Sequence, residues 1–397
     1  MAGSDFLPYG RHTIDEDDIA AVVRVLRGDW LTSGPKVEEL ERRLEAETGA
    51  AHAVVCNSGT AALHLAALAL DLGPGDLVAV PAVTFAATAN AARFVGADVV
   101  FCDVDADTGL MTAATLAEAQ ARAGRRLSAV FPVHLAGQTV DMPALRAQCR
   151  PGGIPLVEDA CHAIGTRVEG VPVGACAASE MACFSFHPVK TVAMGEGGAV
   201  TTNDAAKAAR MRRLRGHGIT RDLAEFQAPE QAFDSRGEAN PWYYEMVELG
   251  YNFRASDINC ALALSQLDKL APFAARRRHL ADLYAAQLAP LADRVRPLAR
   301  VPGCVPAWHL YVVRIPFDQL GLERAAVMAA LKQHGVGSQV HYLPVYRQPY
   351  YAALAPYPRL PGAEAYYDTC LSLPLFPAMA DDDVRRVVDA LAEILGA

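Results

Sequence analysis

Ala53-Val54-Val55-Cys56-Asn57-Ser58-Gly59-Thr60-Ala61-Ala62 changes character half-way along. Residues 53–56 read as a short buried strand, and 60–72 as a helix. The turn between them is built of small residues, so backbone can come close to a ligand. Ser58 and Thr60 add hydroxyls, and the helix start adds free N–H groups and a partial positive charge. A phosphate fits such a turn, although simple N-capping by Ser58 produces the same pattern.

Working outward, the strand–helix unit recurs. Apolar runs at 77–80, 99–104, 129–133, 156–158, 182–186 and 199–201 read as strands. Helix-length segments at 86–94, 113–123 and 143–149 separate many of them. This alternation predicts an α/β fold with a mostly parallel sheet covered by helices on both faces. A basic amphipathic helix follows at 204–214. Residues 216–254 then break into a polar, aromatic-rich loop of a length that is usually functional. Helices at 256–270, 273–288, 323–334 and 381–395, with a strand at 310–315, make a smaller α+β unit. The expected domains are 1–254 and 255–397.

Composition narrows the classes. The 397 residues are 52% hydrophobic, enough for a large core. The formal charge is 36 − 45 = −9, and no basic run exceeds short pieces such as Arg276-Arg277-Arg278. Non-specific binding to nucleic acid or an anionic membrane is therefore not expected. The first residues lack a basic-then-apolar leader, and no apolar run is long enough to span a bilayer. The nine cysteines are scattered with no C-x-x-C pair, so no zinc, iron–sulfur or disulfide framework is expected, and no metal. A reducing cytoplasm is the expected location.

Only five lysines occur. Lys36, Lys207, Lys269 and Lys332 sit in charge-rich helical contexts and read as solvated faces. Lys190 differs. It closes Phe184-Ser185-Phe186-His187-Pro188-Val189-Lys190, past a buried strand and before Gly195-Glu196-Gly197-Gly198. A lysine desolvated there would be a good amine nucleophile. Leu156-Val157-Glu158-Asp159-Ala160-Cys161-His162 puts two carboxylates at the carboxyl end of a strand, where open α/β sheets bind ligands. Strand alternation sends them to opposite faces, so one of Glu158 and Asp159 can pair with a pyridine nitrogen. A phosphate turn, an anion and a reactive lysine are the three fixtures pyridoxal phosphate requires. The Walker and dinucleotide glycine motifs are absent.

These segments resemble the DegT/DnrJ/EryC1/StrS family of sugar aminotransferases, a branch of fold-type I pyridoxal-phosphate enzymes. The likeness spans essentially the whole chain. Besides the stretches above it rests on Asp29–Pro35, Val83–Thr88, Gly216–Gly218 and Gly250–Arg254. It implies pyridoxal 5′-phosphate as cofactor and a homodimer with shared active sites. It implies that Lys190 carries the cofactor and Asp159 pairs with the ring nitrogen. Phe85 would stack on the ring, and Gln138 and His162 would line the cofactor. Ser58, Gly59, Thr60 and Ser185 would hold the phosphate, with Asn252 arriving from the other subunit.

Phe186–Lys190, Gly218–Asp222, Trp242–Glu245, Val340–Val345 and Gln348–Tyr351 further resemble the branch that aminates UDP-linked 4-keto-6-deoxy-N-acetyl hexosamines for pseudaminic acid and flagellin glycans. Glutamate would be the donor. Gly59 stands where that branch often has alanine, a difference expected to change little. Substrate contacts are expected from Arg221, Trp242, Tyr243, Arg254, His341 and Tyr342; the aromatics would serve equally as interface core. The alternatives are another nucleotide-sugar 4-aminotransferase, such as a GDP-linked perosamine type, or a non-catalytic sugar-binding regulator. Lys190 disfavours a sugar dehydratase of the same fold, and the missing glycine fingerprint disfavours a nicotinamide oxidoreductase.

Overall fold

The computed structural model describes residues 6–354 and 357–396. Residues 1–5, part of the stretch read for a leader, lie outside them. Seven strands make the central sheet: β1 (His52–Cys56), β2 (Leu77–Pro81), β3 (Asp98–Cys102), β4 (Ala129–Val130), β5 (Val157–Asp159), β6 (Met181–Ser185) and β7 (Gly198–Thr202). Their order is β3-β2-β4-β5-β6-β7-β1. The β4–β5 join is made by parallel bridges Val130–Leu156 and Val133–Asp159. Only β7 runs antiparallel to its neighbours.

Alternation along the strands sorts their side chains into two cores. Val54, Cys56, Met181, Cys183 and Val200 join one cluster; Ala53, Val55, Ala182, Phe184 and Ala199 join the other. A strand buried on both sides is what the continuous apolar runs encode. The helices begin where capping groups permit. Asp15 accepts from the N–H groups of Asp17 and Asp18 to open α1 (Glu16–Leu26). Pro35 opens and Gly49, at φ 76°, closes α2 (Pro35–Thr48). Ser58 caps α3 (Gly59–Ala69) by accepting from the Ala61 N–H at 3.0 Å. Next come α4 (Ala86–Phe94), α5 (Ala113–Ala123), α6 (Met142–Cys149) and α7 (Ala205–Leu214).

Helix α8 (Asp257–Asp268) lies beyond the expected 254/255 boundary and packs against α1 and α2. The C-terminal part starts with α9 (Leu270–Leu288). Its small antiparallel sheet pairs residues 296–297 with β8 (Tyr311–Arg314), and β8 with β9 (Cys370–Leu373). Helices α10 (Arg324–Gln333), α11 (Pro361–Thr369) and α12 (Asp381–Leu395) complete it. Val384, Val387, Val388, Leu391 and Leu395 of α12 fall on one buried stripe. No described helix is long and apolar enough to cross a membrane, and no described cluster of His, Cys, Asp and Glu could hold a metal.

Candidate active site

The carboxyl ends of β5 and β6, the start of α3 and α4, and a turn at residues 341–342 enclose a cavity of about 430 Å³. Ser58, Gly59, Thr60, Phe85, Asp159, His162, Ser185, Lys190, His341 and Tyr342 all line it. The β5 alternation separates the two adjacent carboxylates. Asp159 faces this cavity, whereas Glu158 takes His134 Nε2 at 2.8 Å and the Ser179 hydroxyl at 2.5 Å on the other side. Asp159 is the carboxylate available to a ligand.

Its carboxylate is held at both oxygens. The Thr88 hydroxyl donates to Oδ2 at 2.6 Å, and the Cys161 N–H donates to Oδ1 at 3.2 Å. Thr88 has one proton, so the Thr84 hydroxyl, 2.7 Å away, must donate to it. Lys190 follows the turn after β6, where its N–H donates to the His187 carbonyl at 2.8 Å. Burial pushes its pKa below the usual lysine value, an effect partly offset by Cys161 and Asp159.

At the phosphate end, backbone closeness decides. A Cβ on Gly198 would fall 2.3 Å from the Ser58 carbonyl oxygen, and one on Gly59 would fall 2.7 Å from Ser185 Cβ. Both positions need glycine. The expectation that alanine would change little at 59 is therefore corrected, because Ser185 already fills that space. The first amides of α3 have no intrahelical partner and face the cavity with the Ser58, Thr60 and Ser185 hydroxyls.

On the opposite wall three histidines surround Lys190. Ala136 N–H donates to His162 Nδ1 at 3.3 Å, so the His162 proton sits on Nε2 and goes to the Tyr342 oxygen, also at 3.3 Å. The Tyr342 hydroxyl proton is thereby free for a ligand. His341 Nδ1 meets the Ser372 hydroxyl at 2.7 Å. Burial first, and then Lys190, pushes the His162 pKa well down and that of His341 to about 3. The third, His309, stands 3.5 Å from Lys190 Nζ through its Nε2. The Phe85 ring is 60% exposed and lies 6.1 Å from the Tyr342 ring, leaving one aromatic face open at the mouth.

Several expected residues do not reach the cavity. Gln138 is buried elsewhere: its amide donates to the Ala299 carbonyl at 3.0 Å and accepts from the Val301 N–H at 2.8 Å, tying two loops together. Arg221, Trp242, Tyr243, Asn252 and Arg254 do not line it either. They ride on residues 216–254, which are fastened to α7 by Arg210 and Arg213 gripping Glu248. Arg221 stacks over the Tyr244 ring, and the Tyr243 hydroxyl donates to Glu245. Conversely, Tyr9, Thr84, Thr88, Cys161 and His309 belong to the site or hold it and went unread. Thr88 was within reach, one helical turn beyond Phe85. His309 carries no local signal.

These residues fit pyridoxal 5′-phosphate: a phosphate turn that would clash with any Cβ, a carboxylate held at both oxygens, an open aromatic face and a desolvated lysine. A family model of DegT/DnrJ/EryC1/StrS aminotransferases matches residues 12–392. The chain belongs to this family. Among solved structures, the aminotransferase TlmJ from Streptoalloteichus hindustanus is 29% identical, with a TM-score of 0.87 over 98% of this chain and 100% of that one. PseC from Helicobacter pylori, an aminotransferase involved in the biosynthesis of pseudoaminic acid, is 26% identical, with a TM-score of 0.88 over 98% and 99%. DesI, solved in the presence of its TDP-sugar product, is 33% identical, with a TM-score of 0.85 over 99% and 94%.

Proposed function

We propose that this pyridoxal-phosphate-dependent sugar aminotransferase moves an amino group from glutamate to the C4 keto group of a UDP-linked 4-keto-6-deoxy-N-acetyl hexosamine, as pseudaminic acid biosynthesis requires. The observation that carries the chemistry is the meeting of Lys190, Asp159 and the open start of α3 around one cavity. The likeness to PseC and the segments at 186–190 and 340–351 support the sugar. The likeness to DesI keeps other nucleotide sugars, TDP- and GDP-linked, in the test.

The cofactor supplies a carbonyl that takes up the amino group and a ring that draws electrons from the reacting carbon. Everything else falls to the chain. The α3 start, Ser58, Thr60 and Ser185 would bind the phosphate. Asp159, aimed by Thr88 and the Cys161 N–H, would face the ring nitrogen, and Phe85 would cover the ring. Lys190 Nζ, its amine favoured by burial, would remove and return the proton at the reacting carbon. Tyr342, with its proton free, would donate to an oxygen of the incoming sugar.

A homodimer in a reducing cytoplasm accompanies this reading. The 216–254 segment exposes Trp242, Met246 and Leu249, and all nine cysteines are free. In a dimer, Asn252, Arg221 and Arg254 would reach the partner's site.

The test is spectroscopic. Purified protein should show a near-visible cofactor band that glutamate bleaches and that one member of a UDP-, TDP- and GDP-linked 4-keto sugar panel restores. No band, even after incubation with pyridoxal phosphate, ends the enzyme reading. Restoration only by a TDP- or GDP-linked sugar ends the UDP assignment.

A further inference from the structure

We propose that His309 is a positioning residue for Lys190, donating its Nε2–H to Nζ and so holding the amine in its unprotonated form. The inference rests on Lys190 being the reactive amine of the site.

The tautomer follows from the two ring nitrogens. Nε2 lies 3.5 Å from Lys190 Nζ, while Nδ1 is buried with no hydrogen-bond partner among the described residues. A neutral imidazole carries one N–H and one lone-pair nitrogen. A proton on Nδ1 would bury an orphan N–H, the costlier of the two vacancies. The proton therefore belongs on Nε2, and the amine lone pair of Lys190 is its acceptor. A charged ring would place two cations side by side, and burial first, then Lys190, pushes the His309 pKa well below the usual value.

The surroundings set the ring's position. The His309 N–H donates to the Ala136 carbonyl at 2.9 Å. Its own carbonyl accepts from Arg277 at 3.3 Å, and the same guanidinium reaches the carbonyls of Trp308 at 3.3 Å and Leu375 at 2.9 Å. Arg277 is 1% exposed and has no carboxylate partner among the described residues. A buried guanidinium spent on three backbone carbonyls is costly unless their placement matters. Gly137, at φ +101°, allows the approach: a Cβ there would sit 3.1 Å from the His309 nitrogen. His309 thus reaches the lysine from the segment just before β8.

The other titratable neighbours leave this role open. Asp159 and Cys161, after β5, favour the ammonium; His162 and His341 are neutral rings bonded elsewhere. Tyr342 is engaged with His162, and Tyr9, His187 and Glu196 complete the titratable lining.

Two measurements on the full chain freed of cofactor decide it, and neither uses substrate, so failure here is separate from failure of the proposed reaction. In the first, ¹⁵N spectra of histidine-labelled protein, assigned by comparison with His309→Gln, should show His309 as the neutral Nε2–H tautomer at pH 7. The Nδ1–H tautomer or a charged ring overturns the proposal. In the second, Lys190 is labelled with a small amine-reactive reagent and read by peptide mass spectrometry against exposed Lys332. His309→Met should slow Lys190 labelling at pH 7 by about tenfold, one pH unit in the midpoint, through loss of one hydrogen bond. His309→Gln, which keeps a donor near Nε2, should stay within about threefold of the parent. Parent-like labelling in His309→Met overturns the proposal, as does an equal fall in both variants. Should His309→Met not fold, the spectrum of the unaltered chain decides alone.

Discussion

The cavity wall and the 216–254 segment both carry residues that the sequence singles out, yet they end in opposite states. On the wall, Ser58, Asp159, Ser185 and Lys190 converge although they are far apart in the chain. On the segment, Trp242 is 72% and Leu249 78% exposed, and none of the expected contacts reaches the cavity. The difference is one of scaffolding. Sheet order brings the wall together: β5 lies beside β6, and the antiparallel β7 joins β6 to β1, so the carboxyl ends of β5, β6 and β1 and the amino end of β7 share one edge. The segment is tied down near its two ends, by the pairing of 219–220 with 245–246, by backbone bonds such as Asn57 N–H to the Phe253 carbonyl and by ion pairs to α7, but adds no strand to the central sheet. Its apolar side chains Trp242, Met246 and Leu249 stay exposed. The wall is thus held by the sheet, whereas the segment's apolar side chains are left exposed.

The largest effect that could break this contrast is at Lys190. Lys190→Ala should cut turnover by at least about 10⁴-fold, since nucleophile and proton carrier vanish together. The protein should keep its fold by circular dichroism. Normal turnover in this variant would mean that the cavity is not the reacting site. Next comes Asp159→Asn, which removes the charge and can keep only one of the two hydrogen bonds from Thr88 and Cys161, because the amide nitrogen cannot accept. A loss on the order of 10²- to 10³-fold in kcat is expected, with the donor and sugar half-reactions falling together. The neighbouring Glu158→Gln sharpens the point, because its carboxylate is bonded to His134 and Ser179 away from the cavity and the change should alter thermal stability before activity.

How much of the wall was legible follows the same logic. Asp159 was readable because it ends an apolar strand, yet its choice over Glu158 needed the strand's facing, which periodicity leaves open. Lys190 was readable because it follows an apolar strand and a turn, outside the helical contexts of the other four lysines, three of which have charged neighbours. Gly59 was readable as a phosphate turn but not as a packing constraint. Ser185, which fills the space, lies 126 residues further on and meets it only after β6 is seated. His309 was illegible: it stands 119 residues from Lys190 and reaches it through a backbone approach that depends on Gly137 and Arg277. Gln138 was misplaced for the converse reason. A buried amide satisfies itself wherever partners lie, and those were Ala299 and Val301. The fold's α/β class, its parallel strands and the helices at 86–94 and 113–123 needed only periodicity and capping. The strand at 370–373 went unread because four residues beside Pro374 give too short a pattern.

Gly59→Ala tests the wall at a smaller scale. The new methyl must displace Ser185 Cβ or the start of α3, at a cost of about 1–3 kcal/mol. The expected result is a folded protein whose affinity for pyridoxal phosphate falls roughly ten- to hundredfold. Absorbance titration of the cofactor-free chain measures it. Unchanged affinity would show that the α3 start yields, and that the phosphate turn is less tightly built than its contacts suggest.

The smallest effect is expected on the segment. Trp242→Ala removes an exposed ring that touches nothing essential within its own chain. Stability of the isolated chain should shift by no more than about 0.5 kcal/mol. If the ring instead meets a nucleotide sugar in a neighbouring subunit's site, KM for the keto sugar should rise several-fold while the glutamate half-reaction keeps its rate. If it is interface core, light scattering should show the dimer dissociating at higher protein concentration, and both half-reactions should fall together. These outcomes separate the two roles of the aromatics. A variant unchanged in KM, rate and mass would leave Trp242 out of both and return the contrast to the wall alone.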